Sequence, residues 1–436
     1  MKSHPPYTPP FPPRHKGEIP VTELLAKARR SLLEVWGEEM FQGPGTALDI
    51  LGRRLVVLNR PEAIEAVLHT QAGNFAAKPA PLRKLLTPLM GEGLFMADAP
   101  GRRAQVEVAQ AMPGLLPATA EALQGLLALW STRLPGQVLD LAGAMRGLAG
   151  EVLCRAIFGS ERAAAPLTRL AAEYASKISG AGLITMLALP ETLARLRVSG
   201  EVRRIHALVD SLIVGMARTG MGPRALREEA ISLFTAGHES LAHALTAAWF
   251  LLAEAPWAEA ALHAELAEVL EGRAPTPGDL PRLPVTRAIL CEALRLYPAF
   301  PIIARVAARQ TQVAGASIPK GAIVFVVPWL VHRHQRHWEA PDEFRPERFL
   351  PGAPPPAPFS YLPFGHGPRL CPAHDVALHS AMLALATLAQ GFRLTTQPGH
   401  RVQPQGSLTL NLGETLPMRL EWRIAPAPDK RFNPEP

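Results

Sequence analysis

The sequence predicts a single, mainly α-helical domain with a minor β portion. Between Ala104 and Gly222, apolar residues recur at three- and four-residue spacing, broken only by proline and glycine. From Arg224 to Glu254 the same periodicity runs through the longest candidate helix, which stops before Pro256. Strand-like runs are short and few, and no repeat, low-complexity linker or composition shift divides the chain. A chain of 436 residues could hold two or three ordinary domains or one large helical unit. The second reading fits, with the domain over 21–425, a proline-rich N-terminal tail over 1–20 and a C-terminal tail over 426–436.

In chain order, Val21–Glu39 reads as an amphipathic helix. Ala47–Leu58 reads as a hairpin turning at Gly52-Arg53-Arg54, too small to stand without packing on something larger. Pro61 opens a short helix through His69. Past the long helix, Ala258–Leu270 and Arg287–Tyr297 are helical, and strands follow at Ile302–Val306, Ile323–Val327 and Ser407–Leu412. Pro328–Phe359 is rich in proline, histidine and arginine and shows little periodicity, which is unusual inside a domain. A last apolar helix covers Pro372 to about Ala389.

An apolar fraction of 48% with 19% charged residues suits a chain with a substantial core. Three cysteines, Cys154, Cys291 and Cys371, give no disulfide framework and fit a reducing, cytoplasmic setting. Met1–Lys16 has no apolar run able to span a bilayer or act as a signal peptide, so no integral membrane segment is expected. The formal charge of +7 is compatible with an acidic protein partner. No basic stripe interleaved with aromatics is present, which argues against nucleic acid.

Cys154 and Cys291 read as core thiols, whereas Cys371 ends Phe364-Gly365-His366-Gly367-Pro368-Arg369-Leu370-Cys371 and precedes the last helix. Glycines at 365 and 367 permit positive φ and close approach to a flat ligand. A helix starting just after Cys371 would point its orphan N–H groups at the sulfur and favour the thiolate, a suitable axial ligand for haem iron. In this string the chain resembles the cytochrome P-450 family of haem-thiolate monooxygenases. Phe364, Gly367, Arg369 and Cys371 fall on the family pattern Phe-x-x-Gly-x-Arg-x-Cys-x-Gly, and Ala373 replaces its last glycine. Pro372 lacks an N–H to donate to the sulfur, which predicts a more electron-rich thiolate.

The resemblance implies the family's fold: a triangular helical prism with small sheets, haem b lying between the long central helix and the Cys371 loop. It also accounts for the irregular 328–359 segment, which corresponds to a meander in the family. Gly237 inside the long helix costs about 1 kcal/mol relative to alanine, and an acid followed by a hydroxyl is unusual in so apolar a helix. Ala236-Gly237-His238-Glu239-Ser240 matches the family's oxygen-activation motif, which implies a groove for O2 at Ala236 and Gly237. Ser240, with a water, would deliver protons, and Glu239 would relay them from bulk solvent. Read from its residues alone, Ser240 could equally bond back to a helix carbonyl with Glu239 at the surface. Serine in place of the usual threonine loses the methyl that restricts its rotamer.

His238 and His243 are five apart, the wrong spacing for two zinc ligands on one helical face, and His332, His334 and His337 read as a solvated loop. Glu292 and Arg295 share a helix face, and the resemblance adds Arg348 as a third member of a network fixing the proximal loop. Arg305 and Arg369 match the family's haem-propionate positions. The family's third partner position corresponds to Arg102, with Arg103 as substitute, although Val106 breaks that pattern. Phe364, Gly365, Gly367 and Ala373 complete the implied haem contacts, with Cys371 as the metal ligand.

Phe95, Met96, Leu183, Phe234, Ile302 and Ile303 stand in the segments that line the family's pocket, and their apolar character favours a hydrophobic substrate. Fatty acids, terpenoids and polyketide-like scaffolds fit equally. The implied reaction is hydroxylation or epoxidation with O2 as co-substrate. Electrons would come from a separate ferredoxin or flavodoxin with its reductase, in a soluble, monomeric bacterial enzyme of secondary metabolism. The alternatives are a peroxide-driven or isomerase-type haem-thiolate enzyme and a non-catalytic haem sensor or carrier.

Overall fold

The computed structural model describes residues 5–50, 53–98, 114–179, 190–214 and 221–423. Among these, the longer helices are α1 (Val21–Arg30), α2 (Ala80–Met90), α3 (Leu115–Ser131), α4 (Leu141–Phe158), α5 (Ala164–Ile178), α6 (Glu191–Ile213), α7 (Pro223–Glu254), α8 (Pro256–Leu270), α9 (Pro284–Leu296) and α10 (His374–Gly391). The 32-residue α7 extends roughly 48 Å. Proline starts it at Pro223, where a missing N–H costs nothing, and Pro256 opens the next helix. Every residue from Leu241 to Leu252 is buried, and apart from His243 and Thr246, which bond carbonyls, this half of α7 is apolar all round and forms the axle of the fold. It packs against α2, α4, α6, α8, α9 and α10.

The β portion lies in small sheets. Strands β1 (Gly45–Ile50), β2 (Arg53–Leu58), β7 (Ile323–Val326) and β4 (Ile303–Val306) form one sheet in the order β1-β2-β7-β4. There β2 and β7 run parallel, with Leu55 opposite Ile323, and β4 runs antiparallel to β7, with Arg305 opposite Val324. A second sheet has the order β3 (Val138–Asp140), β11 (Pro417–Trp422), β8 (Phe392–Thr396). Two ribbons pair β5 (Thr311–Val313) with β6 (Ala316–Ile318), and β9 (Gln405–Gly406) with β10 (Leu410–Asn411).

Several expectations need correcting. The first helix stops at Arg30 instead of Glu39, because Ser31 turns extended and pairs elsewhere. Its hydroxyl accepts the N–H groups of Leu33 (3.2 Å) and Gly406 (2.9 Å), and Leu32 N–H donates to Gly406 O. Arg53 and Arg54 lie in β2, paired with Ile50 and Asp49, not in the turn. The run 407–412 is half of a ribbon rather than one strand, and Ser407 N–H bonds Thr409 O across its turn. The last helix begins at His374, two residues later than its apolar pattern suggested. The histidines of 328–359 do not form a solvated loop, and only His337 of the three keeps part of its surface exposed. His332, Arg333 and His334 are buried, Pro328–Val331 is helical and Pro346–Phe349 is a 3-10 turn.

Candidate functional site

A cavity of about 380 Å3 opens between α7 and the segment 362–373. On α7 it is lined by Leu233, Ala236, Gly237, Ser240, Leu241 and Ala244, one stripe at helical spacing. Phe364, Gly365, Arg369, Cys371 and Ala373 line the opposite side. Phe95, Phe300, Ile302, Ile303 and Arg305 close it laterally, joined by residues the sequence did not flag: Lys78, Leu153, Ile157 and Leu378.

Met96 and Phe234 do not line the cavity, contrary to expectation. Both are buried in the core, and Phe234 stacks on His238, one turn along α7, at 5.2 Å. Glu239 also falls off the lining stripe. Arg102, Arg103 and Leu183 lie outside the described residues.

The loop before α10 is held by its own backbone. Cys371 N–H donates to Phe364 O (2.9 Å), Gly365 N–H to Leu362 O (3.2 Å) and Leu370 N–H to Gly367 O (2.9 Å). Gly365 and Gly367 both take positive φ, 74° and 69°. At Gly367 the close approach is to protein and not to the cavity, since a Cβ there would overlap the Leu68 carbonyl oxygen. Burial pushes the Cys371 thiol up from its ordinary range, and the Ala373 N–H only partly offsets this. Two expectations change here. α10 begins at His374, two residues later than expected, so the N–H that lowers the thiol belongs to Ala373, just ahead of the helix. The N–H that Pro372 lacks is supplied at Ala373.

On α7, Ser240 Oγ donates to Gly237 O at 3.2 Å, the back-bonded arrangement that its residue type also allowed. Gly237 sits where α4 crosses, and a Cβ there would come 3.0 Å from Leu153 Cδ1. Glu239 keeps 28% side-chain exposure, with His238 Nδ1 3.4 Å away. Burial raises its pKa, but His238 above all, then Arg146 and His243, pull it below the ordinary range, so the carboxylate is charged near neutrality. His238 itself is buried, with Nε2 donating to Arg146 O at 3.1 Å.

Glu292, Arg295 and Arg348 converge. Arg295 forms a bidentate pair with Glu292, both bonds 2.7 Å, and neither residue is exposed to solvent. Arg348 Nε lies 3.5 Å from Glu292, whose Oε1 also accepts the Arg345 N–H at 2.8 Å. The remaining Arg295 N–H groups reach the carbonyls of His332, Pro341 and Glu343. A buried pair is tolerable only with its lone pairs and protons satisfied in this way.

The sequence reading missed the link from this pair to the cysteine loop. His332 Nε2 accepts the Leu362 N–H at 2.7 Å, which leaves Nδ1 to donate to Arg295 O at 3.1 Å. Tyr361 OH adds a bond to Cys291 O at 2.9 Å. Burial drives His332 down to about 3, so it stays neutral.

The donor set fits a haem. One thiol faces an otherwise apolar cavity, and the cations Lys78, Arg305 and Arg369 line it without a carboxylate among the lining residues. Burial lowers both arginines, Arg305 to about 10. Arg369 donates to the carbonyls of Ala97 and Asp98, tying the cysteine loop to the loop that carries Phe95. A second depression of about 400 Å3, between Pro256, His263, Arg393 and Arg423, contains none of the sequence-predicted residues.

Comparison with known proteins places these features in context. The cytochrome P450 family model matches residues 194–417. Cyclooctatin synthase of Streptomyces melanosporofaciens is 30% identical over 408 residues, covering 85% of this chain and 86% of that protein. Pentalenene oxygenase of Streptomyces avermitilis is 30% identical over 321 residues, 66% of this chain and 70% of that protein. The crystal structure of the cytochrome P450DA heme domain superposes with a TM-score of 0.78 at 25% identity, covering 96% of this chain and 98% of that one.

Proposed function

This chain belongs to the cytochrome P450 family and is a haem monooxygenase, and from that premise we propose that it oxygenates a hydrophobic, terpenoid-like molecule. The observation that carries the substrate class is the cavity wall. Leu153, Ile157, Leu233, Phe300, Ile302 and Ile303 select for shape and apolarity, not for a polar handle. Relatives named for cyclooctatin synthesis and pentalenene oxygenation support a terpenoid over a fatty acid or polyketide.

Bound haem supplies the redox chemistry that activates O2. Cys371 would hold the haem iron through its sulfur, and a bound metal would favour the thiolate against the burial that raises the free thiol. Arg305 and Arg369 would pair with the haem carboxylates, with Arg102 as a further candidate. Ala236 and Gly237 keep side-chain bulk out of the distal wall. Ser240 swings its hydroxyl from Gly237 O to hold a proton at Oγ, and the charged Glu239 carboxylate passes protons inward from solvent. Glu292, Arg295 and Arg348 position the proximal loop through His332 and Tyr361. Electrons come from a separate ferredoxin or flavodoxin with its reductase, and the chain's formal charge of +7 suits an acidic carrier.

Screening the haem-loaded protein for Soret shifts with cyclic terpenes, fatty acids and polyketide lactones tests the substrate class. Micromolar shifts confined to terpenes, followed by oxygenated product with a reductase system, support it. Turnover with peroxide alone, or shifts confined to fatty acids, overturns it.

A further inference from the structure

Lys78 is a buried amine for which no described residue supplies an anion. It is 7% exposed and lines the cavity beside Arg305 and Arg369. Its place is fixed by backbone pairing, because Ala77 O accepts the N–H of Val306 at 3.0 Å and so brings Lys78 alongside Arg305. The ammonium lies 5.1 Å from the centroid of the Phe95 ring, and among the described residues it pairs with no carboxylate or carbonyl. The charged groups facing it are Arg369, Arg305 and Arg83 on one side of the balance and Asp98 on the other, and Asp98 is already held by Arg83 at 3.0 Å. Burial first, then Arg369 and Arg305, bring Lys78 down to about 6. Burying a lysine without a partner is costly, and leucine would fill the same wall more cheaply.

We propose that Lys78 is a haem-carboxylate partner, a third cation beside Arg305 and Arg369, and that haem binding is coupled to uptake of one proton at Lys78 Nζ. The inference rests on the haem reading above. The proton passes from solvent or buffer acid to the amine lone pair, forming one N–H bond as two carboxylates enter a field of three cations. Arg305 and Arg369 keep their charges throughout, so among these cations only Lys78 changes protonation.

The test follows haem transfer from the full-length, haem-loaded protein to excess apomyoglobin between pH 7 and pH 9, in wild type, Lys78→Arg and Lys78→Met. Wild type should lose haem faster as pH rises and the ammonium deprotonates. Lys78→Arg should stay slow across the range, because guanidinium and carboxylate groups hold their charge there. Lys78→Met should lose haem about 10- to 100-fold faster at pH 7, with a flatter pH profile, the scale expected for a charge-assisted hydrogen bond. Should Lys78→Met not accumulate as folded protein, the wild-type and Lys78→Arg profiles decide alone, and coincident profiles overturn the proposal. It is equally overturned if Lys78→Met retains haem like wild type but loses Soret response to fatty acids while keeping it to their methyl esters. That result would make Lys78 a substrate anchor. A wild-type protein that takes up no haem fails the family reading instead.

Discussion

At Cys371 two opposing effects meet: burial raises the thiol and a single N–H from Ala373 lowers it, with burial the larger. The thiolate therefore depends on the metal, and Cys371→Ser should abolish the thiolate-type band of the reduced carbon-monoxide complex while leaving the far-ultraviolet circular dichroism unchanged. Ser240 is also described by its neighbours more than by its type. Because its hydroxyl rests on Gly237 O, removing it leaves no buried orphan donor, and Ser240→Ala should fold normally. Its product yield per electron pair should fall by up to about 100-fold, the lower bound usual for proton transfer by a positioned side chain, with substrate-induced Soret shifts intact. Equal yields in the two proteins would remove Ser240 from proton delivery. The residue types at 239, 240 and 371 were legible in the sequence. The burial that sets their protonation was not, because it is contributed by segments far away in the chain.

Among the elements, α9 and the cysteine loop are coupled through one imidazole. His332 spans Leu362 N–H and Arg295 O, and that bridge turns a buried ion pair into a constraint on the loop. Glu292→Gln should leave the buried Arg295 charge without its counter-ion, costing about 3–5 kcal/mol and giving haem-depleted protein, measured as the ratio of Soret to protein absorbance. His332→Ala should leave a buried N–H and a buried carbonyl unmet, costing about 1–3 kcal/mol for each group, seen as a lower urea midpoint and faster haem loss. Haem retention unchanged in His332→Ala would show that the loop is held independently of α9. Periodicity found α7 to within one residue and α8 to within two, and it started α9 three residues late, at Arg287 instead of Pro284. It missed β8 and β11, although both alternate in burial, because strands this short carry few periods. It also placed the end of α1 too late, since the partner that ends that helix is Gly406, far along the chain.

Over the whole molecule, the buried His332 and His243 and the half-buried His263 set the acid limit. His332 is lowered to about 3, and His243 and His263 to about 4, each chiefly by burial. Below the ordinary histidine range the unfolded chain binds protons that the folded chain refuses. Stability is therefore fully present above about pH 6.5 and lost progressively as pH falls toward 4. Thermal unfolding of the haem-loaded protein between pH 8 and pH 4.5 should show the melting temperature dropping below pH 6.5, and a flat profile would contradict this. Among the described residues no helix is long and apolar enough to cross a membrane.

By itself the sequence determined the helical class, the long axle through Gly237 and Ser240, and the family motifs around Cys371, Glu292 and Arg348. These are properties of local periodicity and of residue types at fixed spacing, which a linear string preserves. Only the tertiary structure decided that Lys78 stands beside Arg305, that His332 bridges to Leu362, that Gly367 clears Leu68, and that Met96 and Phe234 turn away from the cavity. Each of those depends on contacts between residues far apart in the chain, where burial and charge are set by neighbours that no local pattern encodes.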